Sequence, residues 1–191
     1  MNMLTDSHDA VTADWAAALL DFWFNQVGEA GWWRHDPSLD RQCTQDYHQL
    51  WQDKQVLPAE TFLDRADDAL AAVLLFDQMP RNMFRGTAQA FATDALAREV
   101  ARGAIAQGFD IQIGGAGRLF FYMPFQHSEA IEDQTLSLTL FEGAGDERWF
   151  DFAHQHHATI ARFGRFPHRN AALGRETRPE EAEAAAEGAG W

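Results

Sequence analysis

One cysteine and one lysine are all the sequence has of either residue. With Cys43 alone, no intrachain disulfide and no cysteine-based zinc site can form. A reducing, cytoplasmic compartment is the expectation. Long apolar runs are missing as well. The longest, ALAAVLLF (69–76) and LFFYMPF (119–125), fall far short of the ~20 residues needed to span a bilayer, so no membrane partner is expected. The opening MNMLTDSHDA has acids where a secretory signal would have a basic stretch and an apolar core. There is no Gly-rich phosphate loop, no GxSxG elbow and no dinucleotide fingerprint, so no cofactor is expected. Positive charge is scarce: the formal net charge is −14, and such a surface repels nucleic-acid phosphates.

What is present is enough for a globular core. A chain of 191 residues most simply makes one domain, and seven Trp and fifteen Phe supply a large aromatic interior. Most of the chain reads at helical period. Helices are predicted at about 12–25, with Thr12 as cap, at 38–53, and from Pro58 to Asp77, where Pro80 ends the element. A fourth is expected from Thr87 to Gly108. FDIQIGGAG reads as a docked loop, and further helices as starting after Pro124 and spanning 146–162. TRPEE (177–181) resembles a capping box, Thr177 to Glu180, opening an Ala/Glu-rich terminal helix. That helix lacks an apolar stripe, so about 178–191 is expected to be loosely docked. Helices without convincing strands make the fold class all-α, a single domain of antiparallel helices.

With Lys54 the lone lysine, the other basic side chains are arginines, and they cluster. DQMPRNMFRGT (77–87) and FGRFPHRNAALGRE (163–176) each run from a proline through Arg-Asn to a glycine. Pro opens a short helical turn and Gly follows its end. Backbone N–H groups of a first turn, beside arginines, favour an anion. That anion could be internal or a ligand. Asp77 lies on the buried face of its helix and needs a cationic partner. On the first alternative the corners are clasps answering Asp77, Glu129, Glu132 or Asp133. On the second, Arg81, Arg165 and Arg169 hold a small anionic ligand, with Asn82 and Asn170 orienting it and Arg85, His168 and Arg175 completing the set.

MPFQHSEAIEDQ (123–134) directs His127 inward, with Glu129 on the adjacent face. These two are the candidate proton-transfer pair. HQHH (154–157) puts His156 on an apolar stripe and lacks the HExxH signature, so no metal is expected.

Taken together, LLFDQMPRNMFRGTAQAFATD, RLFFYMPFQHSEAIEDQ and IARFGRFPHRNAALGRETRPEE resemble domain-of-unknown-function family 924, mostly bacterial proteins of about this size. The resemblance runs from Phe22–Trp23–Phe24 to about Glu181. It implies a helical fold of the tetratricopeptide-like superfamily and brings no activity, substrate or catalytic residue. The family pattern falls on Asp77, Gln78, Pro80, Arg81, Asn82, Arg85 and Gly86. It also falls on Pro124, His127, Ser128 and Glu129, and on Phe163, Gly164, Arg165, Pro167, Arg169, Asn170, Gly174 and Arg175. After PEE the family leads one to expect an aromatic or leucine anchor; here AEAAAEGAGW follows, with Trp191 as the substitute. Two functions remain open: a pocket for a small anionic ligand or peptide terminus, and a non-catalytic module that binds a protein partner.

Overall fold

The computed structural model describes residues 15–187; Thr12 and Trp191 lie outside the described residues. Within them the chain is all-helical, with no strand. Helix α1 (Trp15–Asp21) continues through a widened π turn, Phe22–Val27, into α2 (Gly28–Trp32). Trp32 is held back by its indole N–H, which donates to the Trp23 carbonyl at 2.8 Å. Helix α3 (Pro37–Lys54) has Asp36 as its N-cap, accepting from the Ser38 N–H, and Pro37 at its first position.

The next stretch departs from expectation at both ends. Pro58 opens only a 3₁₀ turn, Ala59–Phe62, before α4 (Ala66–Val73) begins. Pro80 does not end the helix. The chain widens into a second π turn, Leu74–Gln78, and runs on through α5 (Met79–Met83) with Pro80 inside it. A proline has no N–H for the carbonyl four residues earlier. That carbonyl, on Phe76, accepts instead from the Thr93 hydroxyl at 2.7 Å. The Asp77 carbonyl accepts from the Arg81 guanidinium, and the Gln78 carbonyl from the Asn82 amide at 3.1 Å. Side chains thus answer three successive carbonyls at the π turn, and the helix survives its proline.

Thr87 precedes a 3₁₀ turn, Ala88–Phe91, and the main helix α6 (Asp94–Ala106) starts later than expected. FDIQI folds as a short helix, α7 (Phe109–Ile113), rather than a loop. Gly114, at φ 64°, breaks the chain, and α8 (Gly115–Gln126) carries RLFFYMPF. Pro124 lies near the end of α8 instead of preceding the next helix; α9 (Ile131–Ala144) is separate. His127 therefore sits in the α8–α9 connection, not on the face of α9. Helix α10 (Glu147–Phe163), capped by Asp146, is followed by a 3₁₀ turn, Pro167–Arg169.

The expected capping box is displaced by one residue: Glu181 reaches back to the Arg178 N–H at 3.0 Å. Glu181 is fully buried, and the final helix α11 (Ala182–Glu187) lies against the Pro167–Arg169 turn. The described part of the tail is thus anchored by a charge rather than by an apolar residue.

One continuous core holds these elements together. Residues 69–76 are buried without interruption, so the α4–π segment is the central rod. Helices α1 and α6 pack on α4; α8 packs on α6 and α9; α10 packs on α9. Trp23, Phe120, Phe121, Phe125 and Phe141 fill the space between them. Among the described residues, no helix is long and apolar enough to cross a membrane.

Candidate functional site

The π turn before Pro80 sets Asp77 inside the molecule, 1% exposed. Such a carboxylate requires compensation, and it receives three partners. Arg81 lies one turn on, at 3.2 Å; Gln78 donates its side-chain amide; His127 Nδ1 stands 2.8 Å from Oδ1. Burial works to raise the Asp77 carboxyl. Arg81 and then His127 outweigh it and hold the group well below the usual carboxylate range. An ionised carboxylate can only accept, so His127 carries its proton on Nδ1 and leaves the lone pair on Nε2. Burial pushes the His127 pKa down, which keeps the ring neutral near pH 7.

His127 is held in place by the motif around it. The Gln134 amide donates to the Gln126 and Ser128 carbonyls at 2.7 and 2.6 Å, pinning the connection on both sides of the ring. Ser128 donates to Asp133 at 2.7 Å, and Asp133 is in turn paired with Arg98 and Arg102.

The two proline corners meet. Arg81 makes a two-pronged contact with Asp94, at 3.0 and 3.2 Å. Arg169, from the second corner, approaches the same carboxylate at 3.6 Å. Asp94 and Phe91 were not foreseen as site residues. Both lie in the quoted stretch QAFATD, but an acid at a helix start signals a helix end, and nothing in its spacing points to Arg81.

Glu129 is not the partner of His127. It accepts from the Phe166 backbone N–H at 2.8 Å and forms a fork with Arg175 at 2.7 and 3.0 Å. The anion that the second corner was expected to attract is thus, at this position, an internal glutamate. Asn170 is engaged as well, accepting from Arg175 and donating to Glu181. Arg165 forms a fork on Glu181 at 2.8 and 2.7 Å, and that contact is the main cause drawing the carboxyl down to about 2. Arg85 points to α3, where it forks on Asp40 at 2.8 Å to both oxygens. Asn82 receives a hydrogen bond from Arg85. Together with Asp40 and Arg41 these two line a surface depression of about 420 Å³, to which His127 and Arg169 do not contribute. Of the expected ligand set, Arg85, Arg165, Arg175, Asn82 and Asn170 are therefore clasps in this conformation.

Arg169 differs. Its side chain is 8% exposed and its guanidinium lies between two rings, 4.6 Å from Phe91 and 4.5 Å from Phe166. Nε finds no hydrogen-bond acceptor among the described residues. Burial, followed by the like charge of Arg81, pulls its pKa down to about 10. Around it stand three imidazoles. His127 and His156 have ring centres 6.4 Å apart, and Phe166 contacts both His156 and His168 at 5.5 Å. The Phe152 carbonyl fixes the proton of His156 on Nδ1, at 2.7 Å. Burial depresses His156 to about 3 and His168 to about 4. The His127 side chain keeps 16% exposure and Arg81 19%, so the cluster reaches the surface. Among the described residues, no three His, Cys, Asp or Glu side chains come together as metal ligands.

Asp77, Arg81, Asp94, His127, His168 and Arg169 fall in the three stretches that carry the family resemblance, and His156 lies just before the third. A family model described as "Bacterial protein of unknown function (DUF924)" matches residues 19–189. This chain belongs to the DUF924 family. Among solved structures it is similar to the protein of unknown function ATU0120 from Agrobacterium tumefaciens, at 39% identity and a TM-score of 0.86. That match covers 92% of this chain and 99% of the Agrobacterium chain. Comparison with curated proteins finds no match. The matched residues include both the clasps and the Asp77–His127–Arg169 cluster.

Proposed function

We propose that this DUF924 protein binds a small anionic group, phosphate or carboxylate, against Arg169, with Arg81, His127 and His168 beside it. The observation that carries the reading is Arg169 itself. A buried guanidinium normally completes its hydrogen bonds with a carboxylate in fork geometry. Arg165, Arg175 and Arg81, all largely buried, do so here. Arg169 has a longer ion pair, two aromatic faces and an unanswered Nε. An oxyanion would supply the missing acceptor and relieve the repulsion from Arg81. The Asp77–His127 pair offers a lone pair on Nε2 next to that anion, the arrangement needed to accept a proton. The buried, free thiol of Cys43 fits a reducing, cytoplasmic setting.

The test is a pair of thermal melts, wild type and Arg169→Gln, across a phosphate titration at constant ionic strength set with chloride. Phosphate should stabilise the wild type by about 2.7 kcal/mol at a hundredfold excess over its dissociation constant. Arg169→Gln should lose most of that gain. Equal phosphate effects in both proteins would place the anion elsewhere and sink the reading.

A second reading has its own observation. Trp33 and Phe152 are 46% and 41% exposed, and both ring systems contact Trp149. An exposed aromatic patch suits a protein partner, as would the tetratricopeptide-like concavity that the family resemblance implies. On that reading the arginines only hold the fold, and neither protein responds to phosphate beyond chloride.

A further inference from the structure

The charges around Arg169 balance without a ligand. Arg81 and Arg169 face Asp77 and Asp94, and Arg175 faces Glu129. An added oxyanion would therefore place uncompensated negative charge at a site largely removed from water, which is costly. Something must bring a compensating positive charge. The arginines cannot, because they already carry their protons, and their cationic partners hold the Asp77 and Glu129 carboxylates ionised. The groups that can are imidazoles, and three of them surround the guanidinium.

We infer that binding at this cluster is proton-coupled: a tetrahedral dianion of the sulfate and phosphate class settles against Arg169, and His127 takes up a proton as it does so. The inference rests on the anion-site reading above and adds the class of ligand and the coupling. His127 is the first acceptor because its Nδ1–H already faces the Asp77 carboxylate, so protonation at Nε2 creates an imidazolium with one anion on each side. His156 and His168 lie behind it as second acceptors.

The surroundings of each ring set the direction. His127 faces Asp77 from the π turn, Arg81 from α5, Arg169 from the second corner and His156 from α10. His156 faces His127, Arg169 and His168, with the Phe152 carbonyl at its Nδ1. His168 faces Arg169, Glu129, His127 and Arg81. Without ligand, burial and the two arginines keep the rings neutral. A bound dianion reverses that field and favours the charged form. A carboxylate ligand, with a single charge, would have less effect on the rings.

Sulfate is the suitable probe because it stays a dianion across the accessible pH range. We would titrate sulfate into the full chain by calorimetry at pH 7.5, 6.75 and 6, in two buffers of different ionisation enthalpy, with chloride matching ionic strength. Affinity should rise about tenfold per pH unit for each proton taken up, and the two buffers should report uptake of about one proton. His127→Asn keeps an N–H toward Asp77 but cannot titrate. It should bind sulfate with a slope reduced by about one proton. Should the variant not fold, buffer-dependent proton uptake in the wild type still tests the coupling. A methyl phosphate arm tells a monoester from a free ion by which of the two binds more tightly. Sulfate binding that is pH-independent and releases no buffer heat would overturn the coupling while leaving the Arg169 anion site standing. No sulfate binding at any of the three pH values would overturn the inference, while the phosphate melts of wild type and Arg169→Gln decide the anion site separately.

Discussion

Asp77 shows how one residue organises a site. Its carboxylate is buried, and the molecule answers it with an arginine one turn along the same helix and a histidine fifty residues away. Both partners lose their orienting group if it is removed. Removing one member of a buried ion pair typically costs about 3–5 kcal/mol, because the remaining charge is left without compensation. We expect Asp77→Ala to lose about 3 kcal/mol in urea unfolding. Arg81 retains Asp94, which holds the figure to the lower end. A loss under about 1 kcal/mol would mean that Asp77 contributes little to holding the cluster. Sequence alone made Asp77 legible as a buried acid in need of an arginine, since it follows Leu70, Val73 and Leu74 on one face. It pointed to Glu129 as the neighbour of His127, because the two are close in sequence. The structure separates them: Glu129 turns to the Phe166 N–H and Arg175, and the true partner arrives from a different helix.

At the scale of elements, the readable signals were periodicity and caps, and the unreadable ones were long-range hydrogen bonds. Helix α3 falls within a residue of its expected bounds because Asp36, Ser38 and Pro37 are local signals. The local pattern makes Pro80 a helix end and Pro124 the forerunner of a helix start, which is what proline does when nothing compensates for its missing N–H. In fact Pro80 is tolerated because Thr93 donates to the Phe76 carbonyl, seventeen residues before it in sequence. The Trp51 indole N–H in turn donates to the Thr93 oxygen at 3.1 Å. No local pattern encodes that relay. Thr93→Val is nearly isosteric and removes it, leaving a carbonyl and an indole N–H buried without partners. Each such group costs about 1–3 kcal/mol. We expect the variant to lose at least 2 kcal/mol, measured by urea unfolding, with the α4–α5 amides around Leu74–Met79 exchanging fastest relative to wild type. A variant as stable as wild type would show that the π turn accommodates Pro80 unaided.

Over the whole molecule, an acidic chain of net charge −14 concentrates its arginines where three distant stretches converge. Most of these arginines tie helix ends together: Arg165 and Asn170 fasten the final helix through Glu181, and Arg175 fastens the second corner through Glu129. The doubled Pro-Arg-Asn-Gly pattern made the corners legible as related. Their meeting point on Asp94 was not legible, because it depends on how α6 packs beside α4. Once the clasps are assigned, Arg169 stands out as the buried cation with incomplete hydrogen bonding, and the account of function depends on it. The direct measurement is a crystal structure grown in selenate, with anomalous diffraction collected at the selenium edge. The account predicts one dominant anomalous peak within hydrogen-bonding distance of the Arg169 guanidinium and close to His127, absent from crystals of Arg169→Gln. Selenate bound at the Arg41–Arg85 depression alone, or an ordered site elsewhere with none at Arg169, would contradict it.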